Sequence, residues 1–536
     1  MAKVTINGVA VEVPDGTNVV RAAEMAGQEI PHYCYHPGLS VAGNCRMCLI
    51  DIKAMSAKQP NPLPKLQIGC NTIVADGMVV ETNNPRVEEA RRGVLEFLLI
   101  NHPIDCPICD QAGECKLQEY YMDYGRYDSR MLLEEKQRKG KAMPVGPDIM
   151  LDQERCILCT RCIRFLDEVT QTHELCMKER GDHSELSVAE GRAVDNDYSV
   201  NVVDICPVGA LTSREFRFQA RVWYLDRTDS ICPGCANGCN IEVHSREGRI
   251  YRLKPRANEQ VNGYWMCDEG RRTWHGVHTG DRLTASYVRS GDEFVEVDAR
   301  EAAASAAGAL VECSRVAIVA SASLSMEEGF LLRAIAQRLG GAPCIIVSPA
   351  LSSIPDDGFL ISTDRYPNRA GLLALGFVEA AVPAATDGVI LAREDAVASD
   401  EKTWGALLEQ LHEVLVIDEH VGKSMAYANQ VLAVATHFEA PGSFVNRRQR
   451  LQAFAGAVPP PGRCVAGWEA LANLLAELGG PRYGNVQEIF AATCLDLGLS
   501  TLQRHEDLGR SGALLDELRR PTDSAAAASV AAPAPA

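Results

Sequence analysis

Sixteen residues in the first 267 positions carry side chains that bind soft metals, and they fall into four short series. These are Cys34, Cys45, Cys48 and Cys70; His102, Cys106, Cys109 and Cys115; Cys156, Cys159, Cys162 and Cys206; and Cys232, Cys235, Cys239 and Cys267. Each series has the number and spacing of ligands that hold an iron–sulfur cluster. Four such sites in one chain do not build a single reaction centre. They build a row of one-electron stops, so the chemistry implied is conduction of electrons rather than bond-making.

The third series is the most specific. Cys156-x2-Cys159-x2-Cys162 wraps three thiolates around one tight loop, where they grip three irons of a cubane, and Cys206-Pro207 supplies a remote fourth ligand. With no second such triplet in view, one 4Fe–4S site is the simplest closure. Structural zinc is the alternative, although zinc favours two separated C-x2-C knuckles. The first series, with ten residues between Cys34 and Cys45, is similar to the plant-type pattern with a longer first gap. Gly43 and Gly69 stand beside its ligand positions, where a missing Cβ lets backbone N–H groups approach cluster sulfur, and this favours 2Fe–2S over zinc or an inert cysteine group. The second series has only three cysteines, which would leave one iron of a cubane open; the imidazole of His102 closes it. The alternative is that His102 caps the carbonyls of a preceding helix, but Pro103 and a cysteine loop directly after it favour ligation. A neutral imidazole in place of a thiolate lowers the cluster's negative charge, a change that raises the potential in Rieske centres. The fourth series, in CPGCANGCN and WMCDEGRR, fits another 4Fe–4S site, again with zinc as the alternative.

Five cysteines lie outside these series: Cys176, Cys313, Cys344, Cys464 and Cys494. All five are expected to be structural, since lone cysteines are commonly buried as small hydrophobes. Cys176 with His173 is a pair without a third ligand, and His183 and His36 are expected to be equally incidental. There is no P-loop, no G-x-G-x-x-G after a strand and no nucleophile–base pattern, so no flavin or nicotinamide site is evident.

The bulk composition agrees. A chain of 536 residues with 46% hydrophobic content suggests three or four packed domains. A net charge of −18 argues against a nucleic-acid partner and for a solvated acidic surface. The start, MAKVTINGVAVEVPDG, lacks a leader pattern, and no run of about 18 apolar residues offers a membrane span. The expectation is a reducing compartment, where clustered thiols bind metal instead of pairing, with membrane association only through partners.

Several elements must position these ligands. Val4–Ile6, the turn Asn7-Gly8 and Val9–Val13 predict a hairpin. Thr17 is expected to cap a helix running through Ala26, ended by Gly27, with strands at Met47–Ile52 and Met78–Glu81. Asn84-Pro85 predicts the start of a helix reaching Asn101, followed by a loop from His102 to Cys115. Two further cysteine loops fall between short helices over 151–215, and short strands and turns over 222–270. After Arg271 the pattern changes: Arg315–Ser321, Cys344–Val347, Gly388–Leu391 and Val414–Asp418 predict buried parallel strands, with helices at Glu301–Glu312 and Met326–Leu339. That alternation indicates a doubly wound α/β sheet. The Ala/Pro/Ser-rich stretch Pro521–Ala536 is expected to be disordered.

The segments PHYCYHPGLSVAGNCRMCLI, NHPIDCPICDQAGECKLQ, RCILCTRCIRF, DICPVGALT and CPGCANGCN, in that order, resemble the large iron–sulfur subunit (the G or 75-kDa type) of respiratory complex I, the NADH:quinone oxidoreductase. Ser443-Phe444-Val445-Asn446, Arg450, Gln452, Pro461-Gly462 and Trp468 resemble a later stretch of the same family, derived from molybdopterin oxidoreductases; Arg448-Gln449 depart from the Glu-Gly common there, and the domain is short. The resemblance implies an α+β and α/β multidomain chain. Its parts would be a β-grasp 2Fe–2S ferredoxin-like domain (1–82), a 4Fe–4S segment with one histidine and three cysteine ligands (83–122), a helical ferredoxin-type 4Fe–4S domain (123–220), a molybdopterin-oxidoreductase-type 4Fe–4S domain (221–277), a shortened molybdopterin-oxidoreductase-like α/β domain (278–520) and a tail (521–536). It also implies one 2Fe–2S and three 4Fe–4S clusters, the fourth series lying off the main route, and no molybdopterin. The implied partners are a flavin- and NADH-binding subunit, a ferredoxin-like 4Fe–4S subunit and other peripheral-arm subunits, on the cytoplasmic side of the inner membrane. Rival readings are the electron-transfer part of an NAD-linked hydrogenase or formate dehydrogenase, a molybdenum enzyme acting itself, and a zinc-organised scaffold.

Overall fold

The computed structural model describes residues 1–346 and 355–519, and the chain divides into two compact units, Met1–Leu225 and Asp226 onward. Val347 and the tail Pro521–Ala536 lie outside the described residues.

The first unit opens with the expected hairpin, β1 (Ala2–Ile6) and β2 (Val9–Val13). Asn7 (φ 47°) and Gly8 (φ 83°) take the two left-handed positions that a two-residue turn of this hand demands. Helix α1 (Val19–Met25) is capped by Asn18, whose side chain accepts from Arg21 N at 3.0 Å, and not by Thr17; the Thr17 hydroxyl bonds back to Pro14 O instead. Strands β3 (Leu49–Ala54), β4 (Gln67–Ile68) and β5 (Met78–Glu81) complete a mixed sheet of order β2-β1-β5-β3-β4, with β1 and β5 parallel. β3 starts two residues later than expected, because Met47 and Cys48 still belong to the cysteine loop. Asn84 caps α2 (Pro85–Leu99), which stops short of Asn101.

Beyond α2 the unit is built of short pieces: α3 (Lys116–Tyr124), β6 (Met143–Pro144), β7 (Ile149–Leu151), α4 (Arg161–Glu168), β8 (Leu175–Lys178), β9 (Glu185–Val188), α5 (Asn201–Asp204) and β10 (Leu211–Ser213). Cys176 sits on the outward face of the β8–β9 ribbon and is exposed, against the expectation of a buried structural thiol. The alternation of a two-stranded ribbon turns Leu175 inward and Cys176 out.

The second unit begins with an antiparallel sheet of β11 (Asp226–Ile231), β12 (Asn240–Arg246) and β13 (Arg249–Pro255), followed by α6 (Asp268–Arg271). Next come β14 (Ser286–Ser290), β15 (Glu293–Val297), α7 (Ala299–Glu312), β16 (Val316–Ala320), α8 (Met326–Arg338), β17 (Cys344–Ile346), β18 (Val378–Glu379), β19 (Gly388–Ala392), β20 (Glu413–Asp418) and β21 (Gln430–Ala433). These strands form one eight-stranded sheet of order β15-β14-β21-β20-β19-β16-β17-β18, parallel from β21 to β18. Numbered in chain order, the six parallel strands lie 3-2-1-4-5-6 when read from one edge, the doubly wound order. The central strands β16 and β19 are buried at every residue, as expected of a sheet covered on both faces. Side chains of β16, β19 and β20 alternate between two cores: Ile318, Ile390 and Leu415 face one, and Val319, Leu391 and Val416 face the other. Among the described residues no helix is long and apolar enough to cross a membrane.

At the start of β20, Glu413 is buried with one carboxylate oxygen unpartnered, and burial pushes its carboxyl up to about 7. A carboxyl raised on folding keeps its proton in the native state where the unfolded chain has lost it. Its penalty is therefore small near pH 4 and complete above pH 7. Glu413→Gln is expected to raise the thermal midpoint at pH 8, by up to about 3 kcal/mol in stability, and to have little effect near pH 4.5. Equal effects at the two pH values in thermal melts would refute the assignment.

Candidate metal centres

The first series converges on one end of the β-grasp-like sheet. Cys34 comes from the loop after α1, Cys45 and Cys48 from the loop entering β3, and Cys70 from a single turn, Gly69–Asn71, after β4. Gly43 (φ 60°) and Arg46 (φ 62°) curl that loop, and Cys34 N points at Cys45 Sγ at 3.5 Å. Gly69 N donates to Cys48 O at 2.9 Å, and a Cβ on Gly69 would stand 3.0 Å from that oxygen, so a larger residue would push the two ligand strands apart. The four thiols are close neighbours, Cys34 beside Cys45 and Cys70, and Cys70 beside Cys48. Their mutual interaction holds Cys34 and Cys48 low and pushes Cys45 and Cys70 up.

In the third series, Leu158 (φ 55°) and Thr160 (φ 62°) turn the backbone left-handed between successive cysteines. Cys162 lies in the first turn of α4, and Cys206 follows α5. All four cysteines line one small cavity whose other walls include Ile157, Val208 and Leu211. Burial pushes Cys156 up to about 12 and Cys159 up to about 11, and raises Cys162 and Cys206. Main-chain N–H groups oppose this: Leu158 N lies 3.4 Å from Cys156 Sγ, and those of Val208, Ala210 and Leu211 converge on Cys206.

The second series spans the exit of α2 and the entry of α3, with Cys106 in a one-turn helix and Cys115 as the N-cap of α3. Burial raises Cys109 and pushes Cys115 up to about 12, against N–H bonds from Gln118 and Leu117. His102 is held down to about 4 by burial, so its ring is neutral at physiological pH. The Leu99 carbonyl at the end of α2 is taken by Lys136 Nζ at 3.0 Å, which also bonds His102 O at 2.6 Å.

These three series share one apolar cluster that contains Tyr33, Cys34, Cys115, Ile157, Cys159 and Val208. The third touches both others. Arg164 donates to Cys34 O at 2.5 Å, Lys116 N to Pro207 O at 3.0 Å, and Arg155 Nη2 to Asp105 at 2.7 Å. A Cβ on Gly209 would collide with Cys109 Sγ.

The fourth series, in the second unit, joins the β11–β12 turn to α6. Cys232 N donates to Cys239 O at 2.8 Å, Asn237 Nδ2 to Cys239 Sγ at 3.1 Å, and Gly270 N to Cys267 Sγ at 3.3 Å. All four thiols are buried, and a Cβ on Gly270 would lie 3.0 Å from Cys232 Sγ and 3.3 Å from Cys267 Sγ. Burial pushes Cys267 up to about 11 and raises Cys232 and Cys239.

Among the described residues no group of three or more His, Cys, Asp or Glu side chains is closed tightly enough for a single metal ion, which draws thiolates to about 2.3 Å from one centre. The donor sets nonetheless fit iron–sulfur clusters: nearly all thiol, buried or half-buried, and met by main-chain N–H groups that stabilise anionic sulfur. Sequence reasoning missed Arg161, Arg164, Lys136 and Asn237. Arg161 and Asn237 fall between ligand cysteines, which was their only signal. His173 instead pairs with Asp167 at 2.6 Å on the surface.

In the second unit, the crevice past the carboxyl ends of β16 and β19, where doubly wound sheets take ligands, narrows to a cavity of about 40 Å³ beside Ser323, Arg393, Thr436, His437 and Trp468. That is room for about three waters at roughly 10–15 Å³ each.

The comparisons with known proteins follow these divisions. Family models match a 2Fe–2S iron–sulfur cluster binding domain at residues 1–85, the NADH-ubiquinone oxidoreductase-G iron–sulfur binding region at 91–130, the NADH-quinone oxidoreductase subunit 3 ferredoxin-like domain at 146–212 and the molybdopterin oxidoreductase Fe4S4 domain at 225–279. The chain is thus a mixed α/β multidomain protein with 2Fe–2S- and 4Fe–4S-binding domains. Its relatives include the NADH-quinone oxidoreductase G subunit of Rickettsia felis, 41% identical over 342 residues (63% of this chain, 49% of the relative). The mitochondrial NADH-ubiquinone oxidoreductase 78 kDa subunit of Candida albicans is 39% identical over 370 residues (68% and 50%). The NADH-ubiquinone oxidoreductase 75 kDa subunit of Reclinomonas americana is 42% identical over 297 residues (55% and 41%). The chain is homologous to the large iron–sulfur subunit, the G or 75-kDa type, of NADH-quinone oxidoreductase, and it spans about half the length of the curated relatives it matches. A crystal structure of an NAD+-reducing [NiFe]-hydrogenase also matches, at 29% identity and a TM-score of 0.36 over 41% of this chain and 91% of that one.

Gly209 provides a direct test of how the second and third series interlock. Gly209→Ala is expected to displace Cys109 and cost at least half of the iron bound by the second series, measured by iron and sulfide analysis with electron paramagnetic resonance (EPR). Full cluster content in that variant would contradict the close packing.

Proposed function

We propose that this chain is the iron–sulfur electron-transfer subunit of an NADH:quinone oxidoreductase, relaying electrons from a flavin-bearing, NADH-oxidising subunit toward the quinone-reducing arm. The observation that carries the proposal is the third series: four thiols from two separate segments line one cavity, in an apolar cluster shared with ligands of the first and second. In this reading Cys34, Cys45, Cys48 and Cys70 hold a 2Fe–2S cluster in a β-grasp domain. His102, Cys106, Cys109 and Cys115 hold one 4Fe–4S cluster, Cys156, Cys159, Cys162 and Cys206 a second, and Cys232, Cys235, Cys239 and Cys267 a third. Bound clusters supply one-electron acceptors. The chain's own residues hold them, exclude water and present N–H groups and cations to their sulfurs.

The neutral imidazole of His102 is in the ligating form, and Lys136 occupies the helix carbonyl that His102 would otherwise cap. The third series, touching both neighbours, sits between the first and second along the relay. The fourth ties β11–β12 to α6 and serves the fold of the second unit. In this reading the α/β part is a shortened molybdopterin-oxidoreductase-like domain that is not expected to hold a pterin. The partners are the flavin subunit, a ferredoxin-like 4Fe–4S subunit and other peripheral-arm subunits, and the chain lies on the cytoplasmic face of the inner membrane as a peripheral part of that complex.

Purified anaerobically, the full chain is expected to carry about fourteen iron atoms with matching sulfide and neither molybdenum nor tungsten, to be reduced by dithionite, and to leave NADH untouched without its flavin partner. NADH oxidation by the flavin-free chain would overturn the reading. Co-purification with hydrogenase subunits would move the same relay to a different complex.

His102 is tested separately. His102→Cys should retain the cubane at a lower potential, because an added thiolate charge disfavours the incoming electron, while His102→Ala should yield a site that loses one iron under mild oxidation. Unchanged potentials and spectra in both variants would remove His102 from the ligand set.

A further inference from the structure

We infer that Arg161 is a shared positive charge of the first and third cluster sites and sets the potential of both; this rests on the cluster assignment proposed above. Arg161 occupies the gap between Cys159 and Cys162, and its guanidinium spans two segments. Nη1 donates to Ile205 O at 3.1 Å, one residue before Cys206, and Nη2 donates to Tyr35 O, one residue after Cys34. The thiols whose charge it feels most belong to both series: Cys159, Cys206 and Cys34. Its Nε is shut off from solvent and has no hydrogen-bond partner in the protein, leaving a buried donor that an anionic sulfur of a bound cluster would satisfy.

Two neighbouring guanidinia show why Arg161 stands out: Arg164 also donates to carbonyls, those of Cys34 and Cys159, but its Nε is spent on Thr160 Oγ1. Arg155 is more deeply buried than Arg161, but it is neutralised by Asp105 at 2.7 Å and faces Asp152 at 3.5 Å. Both acceptors of Arg161 are main-chain carbonyls, which satisfy its hydrogens without cancelling its charge. A cluster becomes more negative by one unit on reduction, so an uncancelled, partly buried cation stabilises the reduced form and raises the potential. Because it lies between two sites, one residue biases both. Arginine suits the position: its charge is permanent, and its planar fork reaches two carbonyls while keeping a third N–H free.

The test is a redox titration of the anaerobically purified full chain, followed by EPR on each cluster, comparing wild type with Arg161→Gln and Arg161→Lys. Arg161→Gln is expected to weaken electron uptake at both the first and third clusters at least tenfold, a fall of about 59 mV for a one-electron couple, with the second and fourth clusters unmoved. Arg161→Lys, which keeps the charge but not the fork, should leave both potentials within a third of that shift. A fall at the third cluster alone, or at neither, overturns the shared role. If Arg161→Gln fails to retain clusters, Arg161→Lys decides: retained clusters at wild-type potentials support the charge role, whereas lost clusters or a fall as large as tenfold show that the fork acts only as a structural clamp. A wild-type chain with no cluster at these cysteines would overturn the cluster assignment itself, an outcome distinct from clusters present at unchanged potentials.

Discussion

The first unit is organised by the cost of burying sulfur that must become anionic. A thiol moved out of water resists ionisation, and burial pushes Cys115 and Cys156 up to about 12 and Cys159 to about 11. A bound metal deprotonates its thiols outright, so cluster binding and local folding are one equilibrium. The chain prepares for that charge before any metal arrives. The left-handed residues Leu158 and Thr160 curve the ligand loop, and the turn after Cys206 aims three N–H groups at one sulfur. The short helices and two- or three-residue strands around these loops are too small to fold as an independent core, which explains why their apolar cluster contains the ligands themselves.

The second unit meets a different constraint. Its doubly wound sheet is held by two aliphatic cores that owe nothing to metal, with side chains alternating strictly between them. At the carboxyl ends of the strands, the place where such a sheet offers its crevice to a ligand, the chain has put its own charges. Arg393 bonds Glu328 at 2.8 Å, Ala435 O at 2.8 Å and Glu419. A Cβ on Gly467 would collide with Glu328 Oε1, so the absence of a side chain there is what lets this ion pair close. A crevice filled by an internal salt bridge is built to stay shut, and removing one partner of such a buried pair leaves an uncompensated charge.

The four cysteine-rich series stood out in the sequence because composition alone does not produce such short spacings. The hairpin at Asn7-Gly8 and four of the six parallel strands were visible for a similar reason: turn chemistry and continuous apolar runs are local. What escaped was set at long range. Lys136 caps α2 from 37 residues beyond Leu99, a distance no helix-end pattern encodes. Asn18 displaced Thr17 as the cap of α1, a choice between two competent neighbours that depends on backbone direction. The strand after Cys48 began late because Met47 and Cys48 still belong to the turn of the cysteine loop, which overrode β propensity in Met47. Cys176 faces outward because its ribbon has one buried face, and nothing in four residues announces which face that is.

The same apolar cluster that joins three ligand series also determines how strongly any charge within it acts. Water between exposed charges reduces their interaction to about 1 kcal/mol at 4 Å, and an effective dielectric near 20 makes the same pair about fourfold stronger. Tyr33, Met47, Leu95 and Ile157, packed around Cys34, Cys115 and Cys159, keep water out of the space between the sites. Inside that space, hydrogen bonds to neutral carbonyls and ion pairs to carboxylates are no longer equivalent ways of satisfying a guanidinium. The first leaves a full charge acting on nearby sulfur, and the second leaves little more than a dipole. The third series has both kinds beside it: Arg161 and Arg164 toward the first series, bound to carbonyls, and Arg155 toward the second, bound to Asp105. The electrostatic field around the third series is therefore asymmetric by construction, more favourable to an added electron on the side of the first series than on the side of the second.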